Sequence, residues 1–191
     1  MLAIATNAQI AHWQHRICEC DDHEAYEYLF KALAPPLVHF ANAIVHERAA
    51  AEDVVNDVFL RVWEKRKTLD QIENLRFYLY TATRNFAINH LKSSARQSYL
   101  PLQQMESWHA QLVASQNPAG ITEARDVFAR LQAAIEALPP RCRIILKLTR
   151  EDGLKQREVA ELLHISPKTV ENQLAIALHK LASAVPQYQL K

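Results

Sequence analysis

The sequence predicts an all-α protein: two helical domains joined by a flexible linker, the C-terminal one a helix-turn-helix. Three observations carry that prediction. Glycine occurs twice in 191 residues, where average usage of roughly 7% would supply about 13, so glycine-rich phosphate loops and turn-dense sandwiches are largely excluded. Apolar residues recur at helical spacing through two long blocks, 24–96 and 122–185. Between them periodicity fades over 97–121, which carries Pro101, Pro118 and Gly120 with several Ser and Gln and reads as a linker. A composition 49% hydrophobic and 23% charged is that of a chain with a buried core.

Residues 1–23 are read as an N-terminal extension. MLAIATNAQIAHWQH has no basic region ahead of a long apolar core, so it is unlike a secretory signal. No uninterrupted apolar run reaches the roughly 18 residues that a membrane span needs. Three cysteines, Cys18, Cys20 and Cys142, are an odd number without a framework spacing, which fits a reduced, cytoplasmic setting. His12, His15, Cys18, Cys20 and His23 cluster here. Their side chains are zinc ligands by type, but the spacing is not that of a standard zinc site, so incidental packing and surface placement are expected and no metal or cofactor is assigned.

In the first block, Val55, Val58, Phe59 and Val62 follow i, i+3, i+4, i+7, a helix with one buried stripe. Glu52, Asp53, Asn56, Asp57 and Glu64 are left facing outward. A turn over Thr68 to Asn74 precedes a second helix from about Asn74 to Lys92, with Leu75, Leu79, Ala82 and Phe86 at core spacing. Arg76, Phe77, Tyr80, Thr81, Arg84 and Asn85 fall on its other face, although Phe77 and Tyr80 suit a core as well.

Inside the linker Trp108 and Leu112 are candidates for local docking. The second block starts near Thr122 with Val127, Leu131, Ala134, Ile135 and Leu138 before the break at Pro139-Pro140. Arg143 to Gly153 reads as a helix closed by a left-handed glycine. Lys155 to Leu163 is a short helix with Val159, Leu162 and Leu163 inward. His164-Ile165-Ser166 turns the chain, Ser166 serves as N-cap, and Pro167 takes the first helical position, where its missing N–H costs nothing. The last helix, Pro167 to about Ser183, is expected to bury Val170, Leu174, Ala177, Leu178 and Leu181. Short helix, tight turn and longer helix make a helix-turn-helix; residues 186–191 are a tail.

A net charge of +1 conceals segregation. Residues 1–60 hold three cations against nine carboxylates, a net −6, whereas 61–100 sum to +5, 101–140 to −2 and 141–191 to +4. Lys and Arg neutralise phosphates and release counterions, so two basic blocks point to nucleic acid more directly than the overall balance does. The second helix of a helix-turn-helix enters the major groove by its N-terminal half. Its outward residues here are Lys168, Thr169, Glu171, Asn172, Gln173, Ala175 and Ile176. Lys168 and Thr169 sit where a helix N-terminus favours phosphate; Glu171 suits cytosine N4, Asn172 suits adenine, and Ala175 and Ile176 suit thymine methyls.

Three colinear stretches, AEDVVNDVFLRVWEKR, NLRFYLYTATRNFAINHLK and LPPRCRIILKLTREDGLKQREVAELLHISPKTVENQLAIALHKL, resemble the two conserved regions of an extracytoplasmic-function (ECF) sigma factor, the promoter-recognition subunit of bacterial RNA polymerase. The second and third are similar to the iron-uptake type and to the sigma factors abundant in Bacteroidetes. The resemblance implies that 24–96 is sigma region 2 and 122–185 is region 4. It implies that Glu52, Asp53, Asn56, Asp57, Arg61 and Trp63 dock on core RNA polymerase. Asn74, Arg76, Phe77, Tyr80, Thr81, Arg84 and Asn85 would then recognise and melt the minus-10 element, and residues 168–176 would read the minus-35 element. Melting holds unpaired bases out of the stack, which aromatic rings and backbone amides beside cations support. An anti-sigma factor, often membrane-bound, is the implied regulator.

About 25 linker residues reach roughly 80 Å extended, while elements about 17 base pairs apart lie some 55 to 60 Å from one another on B-DNA, so both contacts fit at once. Two tethered modules gain affinity through effective concentration. No nucleotide-binding loop, metal-hydrolase motif or nucleophile elbow is present, so the chain is read as no enzyme. Two competitors stand beside this reading. VAELLHISPKTVENQL also resembles the DNA reader of response regulators, which binds duplex as a dimer without polymerase. A helical enzyme or metal sensor built on the His and Cys cluster predicts bound metal and indifference to DNA.

Overall fold

The structure is a computed structural model that describes residues 5–97, with backbone alone for 94–97, and residues 130–184. The expected linker beyond Gln97, with Trp108 and Leu112, lies outside the described residues, as do Val127, the expected start near Thr122 and the tail 186–191. No strand occurs among the described residues. The chain divides into two compact units, Met1–Trp108 and His109–Lys191.

The first unit is a helical bundle. Helix α1, Asn7–Cys20, opens on a capping box: the Gln9 amide donates to Thr6 Oγ1 at 3.2 Å and Thr6 N donates to Gln9 Oε1 at 2.8 Å, so two of the orphan donors at the helix start are satisfied. Ile10, Gln14, Ile17 and Cys18 are its buried residues. The expected N-terminal extension therefore contains a helix packed on the rest of the unit. Asp21, at φ 51°, closes it in the left-handed region. Asp22 then caps α2, His23–Val45, accepting from the amides of Glu24 at 2.9 Å and Ala25 at 3.0 Å.

Helix α2 is the central element, packed against α1, α3 and α4. It is long and apolar enough to cross a membrane by composition, yet half of its most apolar window is buried inside the protein. Leu29, Leu33, Leu37, Phe40 and Ala41 are at most 3% exposed; each large apolar side chain so buried contributes about 1.5 to 3 kcal/mol. That packing carries the helix through Pro35 and Pro36, which remove two backbone donors. Helix α3, Arg48–Glu64, buries Val55, Val58, Phe59 and Val62 at 1% exposure each, the stripe that the spacing predicts. The Tyr26 hydroxyl donates to the Phe59 carbonyl at 2.9 Å, and the Phe30 ring meets Phe59 edge-on at 4.8 Å.

A 3-10 helix, Arg66–Gln71, occupies most of the expected turn. Helix α4 follows, Leu75–Gln97, with Asn74 Oδ1 accepting from the Phe77 amide at 3.1 Å. Its buried stripe differs from the expected one. Leu75 and Leu79 are inside, but so are Arg76, Tyr80, Thr83 and Ala87, whereas Ala82 and Phe86 are half-buried. At 100° per residue the true stripe is rotated by about 70° from the apolar-only one. Tyr80 tilts against Phe40 at 5.3 Å, which draws it inward.

In the second unit, α5 is helical over 130–136, followed by α6, Pro140–Leu146, α7, Gln156–Leu163, and α8, Pro167–Ala184. Between α6 and α7 the helix widens into a π turn, Lys147–Glu151, where Asp152 N bonds Lys147 O at 2.9 Å. The expected single helix from Arg143 is thus interrupted, though it does end at Gly153, whose φ of 74° suits a residue without Cβ. Lys147 sits over this turn, 2.9 Å from Glu151 and 3.6 Å from the buried Asp152. Burial pushes its pKa down, but the two carboxylates outweigh that and hold it above the ordinary lysine value.

Candidate nucleic-acid interface

The reading element of the second unit is fixed by its turn. His164, at φ 52°, closes α7 in the left-handed region, and Ile165 N returns to Ala160 O at 3.0 Å, a 6→1 bond that satisfies an orphan carbonyl. Ser166 Oγ accepts from Thr169 N at 3.0 Å and lies 2.8 Å from Thr169 Oγ1. With Pro167 first in α8, this is the start that the sequence predicts. Val170 and Ala177 are fully buried and Leu174 is 6% exposed, so the opposite face of α8 is the accessible one.

On that face Lys168, Glu171, Asn172, Ala175 and Ile176 are exposed, and Lys168 Nζ pairs with Glu171 at 2.9 Å. Thr169 is half-buried, its hydroxyl engaged by the cap. Gln173 departs from the expectation: it is half-buried, and its Oε1 accepts from the Cys142 thiol at 3.0 Å, so this side chain is turned toward α6 rather than outward. Leu178, expected in the core, is 41% exposed. It sits about 80° from Val170 around the helix, at the edge of the stripe that α6 and α7 cover. Leu181 is half-buried.

In the first unit the rotation of α4 redistributes the candidate residues. Arg76 is 4% exposed, its guanidinium donating to Asn7 Oδ1 at 3.1 Å and to the Ala5 carbonyl. Tyr80 is 1% exposed. Both are removed from the surface because they fill the seams between α4 and α1 or α2. Asn74 and Phe77 are half-buried, and the Asn74 amide oxygen serves as the α4 cap. Of the rest, Asn85 is exposed, whereas Thr81 and Arg84 are half-buried and Thr81 Oγ1 is itself covered. Arg84 and Asn85, with Ile88, Asn89 and Lys92, line a groove of about 480 Å³.

Arg84 has a distinctive environment. Its Nε is buried without a hydrogen-bond partner among the described residues, and burial lowers its pKa from the ordinary guanidinium value. A buried donor of a charged group left unmatched is costly. Asn89 and Lys92 belong to the same face but lie outside the expected residues. Their spacing from Arg84 and Asn85, i+4 to i+8, is the signal that would have found them.

The outward face of α3 carries Glu52, Asp53, Asn56 and Asp57, all exposed, with Glu52 paired to Arg48 at 2.8 Å. Leu60, one turn beyond Asn56 and Asp57 and 56% exposed, was missed by the periodicity because it lies off the buried stripe. Trp63 is half-buried and held within the unit: His23 lies at 4.5 Å, Tyr26 at 5.0 Å and the Arg66 guanidinium 4.7 Å above its ring. Arg61, exposed, stacks over Phe86 at 5.6 Å.

The His and Cys residues near the N-terminus do not converge. The Cys18 thiol donates to Lys67 O at 3.4 Å, Cys20 is exposed and His23 stacks on Trp63. Among the described residues, the one group of three whose ligand atoms lie within 4.8 Å of each other is His15, Glu19 and Asp70, all exposed.

Comparison with known proteins accounts for both units. Residues 29–97 match the model described as Sigma-70 region 2, and residues 128–181 match Sigma-70, region 4; together they span more than half of the chain. The probable RNA polymerase sigma factor RfaY of Xanthomonas campestris is 30% identical over 81% of this chain, which spans only 38% of that relative's length. The ECF RNA polymerase sigma factor RpoE of Cereibacter sphaeroides is 26% identical over 84% of this chain and 86% of its own. Two solved structures share the fold, each at 19% identity and TM-score 0.51. CnrH in complex with the cytosolic domain of CnrY covers 95% of this chain and is itself 99% covered. RpoE in complex with the anti-sigma factor NepR, from Bartonella quintana, covers 87% and is 99% covered.

Proposed function

The chain belongs to the sigma-70 family as a sigma factor of the ECF type, and from that premise we propose that it docks on core RNA polymerase, melts the minus-10 element with its first unit and reads the minus-35 element with its second. It is a non-enzymatic initiation factor; the polymerase supplies the chemistry. The observation that carries the proposal is the coincidence of two family regions, in order, with two accessible helix faces of DNA-binding chemistry. We take 24–96 as region 2, 122–185 as region 4 and 97–121 as the tether between them.

Within region 2, Thr81, Arg84 and Asn85, extended by Asn89 and Lys92, form the minus-10 face. Asn74 shapes the loop ahead of it, Phe77 borders it, and Arg76 with Tyr80 support it from inside. Within region 4, Asn172 and Glu171 offer base contacts, Ala175 and Ile176 offer methyl contacts, and Lys168 and Thr169 meet phosphate. Gln173 supports α8 from behind. Glu52, Asp53, Asn56 and Asp57, with Leu60 one turn beyond them, form the polymerase-docking face, with Arg61 and Trp63 at its edge. An apolar anchor beside charge is the pattern of a specific interface.

Related folds in complex with NepR, an anti-sigma factor, and with a cytosolic domain support an anti-sigma partner here. Membrane attachment of that partner, a cytoplasmic location and the iron-uptake subtype are finer readings of the same resemblance. Run-off transcription with purified core polymerase on a genomic fragment library tests the whole reading: core-dependent initiation from a shared promoter motif is expected, and the genes downstream test the subtype. A chain that fails to bind core, or that binds duplex as a dimer without it, refutes the proposal.

A further inference from the structure

Residues 66–74, which contain the Thr68 to Asn74 turn ahead of the proposed minus-10 face, form a loop gripped from one side by α1, a helix outside the region 2 match. At the loop's C-terminal end, Gln14 Nε2 donates to Leu69 O at 2.6 Å and to Ile72 O at 2.8 Å. Gln14 is a polar side chain only 6% exposed, in a helix position that an apolar residue would fill if packing alone were required. Leu69 O also accepts from Ile72 N at 2.9 Å, so the amide of Gln14 ties together the two carbonyls between which the 3-10 helix ends. At the loop's N-terminal end, Asp21 pairs with Lys67 at 2.9 Å and with Arg66, and Lys67 Nζ donates to the Cys18 carbonyl at 3.1 Å.

These contacts fix both ends of the turn and leave exposed Gln71, between Gln14's two anchor points, and Glu73, between the second anchor and α4. Without Gln14, Leu69 O would keep only its local bond from Ile72 N, and Ile72 O would be left to other partners such as water, which imposes no fixed geometry. A loop that holds an unpaired base needs its backbone donors and acceptors set before the base arrives, because ordering them on binding costs affinity and selectivity.

We propose that Gln14 is a positioning residue for minus-10 recognition: it holds the 66–74 loop in its base-reading shape from outside the region that touches DNA, with the Asp21 clasp securing the opposite end. The inference rests on the promoter-recognition reading above. Its test compares wild type with Gln14→Met, which keeps the chain length and removes both donors, in holoenzyme on promoters that differ by single minus-10 bases. The variant is expected to bind core and to depend on the minus-35 sequence as wild type does. Its ratio of activity between the best and worst minus-10 base should fall about five-fold or more, the low end of what one well-placed base contact supplies. A merely structural role would lower activity on all templates alike and leave that ratio unchanged, which overturns the proposal. If Gln14→Met does not fold, Asp21→Asn is the second variant, and a retained ratio there is equally fatal. A wild-type chain indifferent to the minus-10 base would instead remove the promoter reading, and this proposal with it.

Discussion

The Cys142 thiol donates to Gln173 Oε1 at 3.0 Å, tying α6 to the middle of α8. Burial pushes the thiol pKa up, with Lys180 opposing, so the group stays a thiol and keeps its hydrogen. Gln173→Ala is expected to cost the second unit about 0.5 to 1.5 kcal/mol, the net worth of one hydrogen bond, with no change in promoter preference. Urea unfolding and binding to single-base promoter variants measure the two effects; a base-specific change would return Gln173 to the DNA face.

Asn172 and Lys168 are expected to behave differently. Asn172→Ala should lose about 1 to 3 kcal/mol on the preferred minus-35 element and relax selectivity there, whereas Lys168→Ala should weaken all promoters similarly and reduce the salt slope. The Lys168 pair with Glu171 is exposed and worth at most about 1 kcal/mol, so it releases easily when phosphate approaches. Equal losses on every promoter for both variants would contradict the assignment.

Arg76 and Arg84 share a helix but not a role. Arg76→Met should destabilise the first unit by about 1.5 to 3 kcal/mol through lost charged hydrogen bonds to Ala5 and Asn7. Arg84→Met should leave thermal stability unchanged or raised, because its buried Nε has no partner among the described residues to lose, while impairing open-complex formation. Permanganate footprinting of the melted region beside thermal denaturation separates the two.

Leu60 and Asp57 probe the outward face of α3. Leu60→Asp should weaken binding to core polymerase at every ionic strength by about 2 kcal/mol, as loss of an apolar anchor does. Asp57→Lys should weaken it chiefly at low salt, since rim charges act over about 10 Å at 0.1 M. Fluorescence anisotropy against core enzyme at two salt concentrations distinguishes these outcomes.

The corner between α1 and α2 responds to acid. Hydrogen bonds from Lys67 and then Arg66 hold Asp21 below the ordinary carboxylate value of 3.8, and the Ala25 amide, with Arg16, does the same for Asp22. A depressed folded pKa means that the stabilisation is complete above the unfolded value and is lost as pH falls through the folded one. Thermal melts between about pH 5 and pH 2 should therefore show a smaller acid-induced decline for Asp21→Asn than for wild type, with the difference shrinking in high salt. Parallel declines would show that the clasp does not form in solution.

Much of this architecture was legible from spacing. The α3 stripe and the Ser166-Pro167 start of α8 are local signals, encoded within a few residues, and the structure places them as read. Misreadings arose where a polar residue sits inside. On α4, apolar spacing selects Leu75, Leu79, Ala82 and Phe86, but Arg76 is buried through partners about 70 residues upstream, which no local window contains. Helix α1 hid for the same reason: Ile10, Gln14, Ile17 and Cys18 follow i, i+4, i+7, i+8, with a glutamine in a core position. Gln173 lies about 60° from Val170 around α8, at the edge of the buried stripe opposite Leu178, where the Cys142 thiol bonds it.

That α1 is built into the first bundle sets where this protein can be cut. A fragment trimmed to begin at residue 29, where the family match starts, would expose the apolar flank of α2 and strip Arg76 of its acceptors, and it should express as an aggregating or protease-sensitive product. A soluble fragment of the first unit for crystallisation or screening has to retain Ala5, whose carbonyl accepts from Arg76, and the capping Thr6.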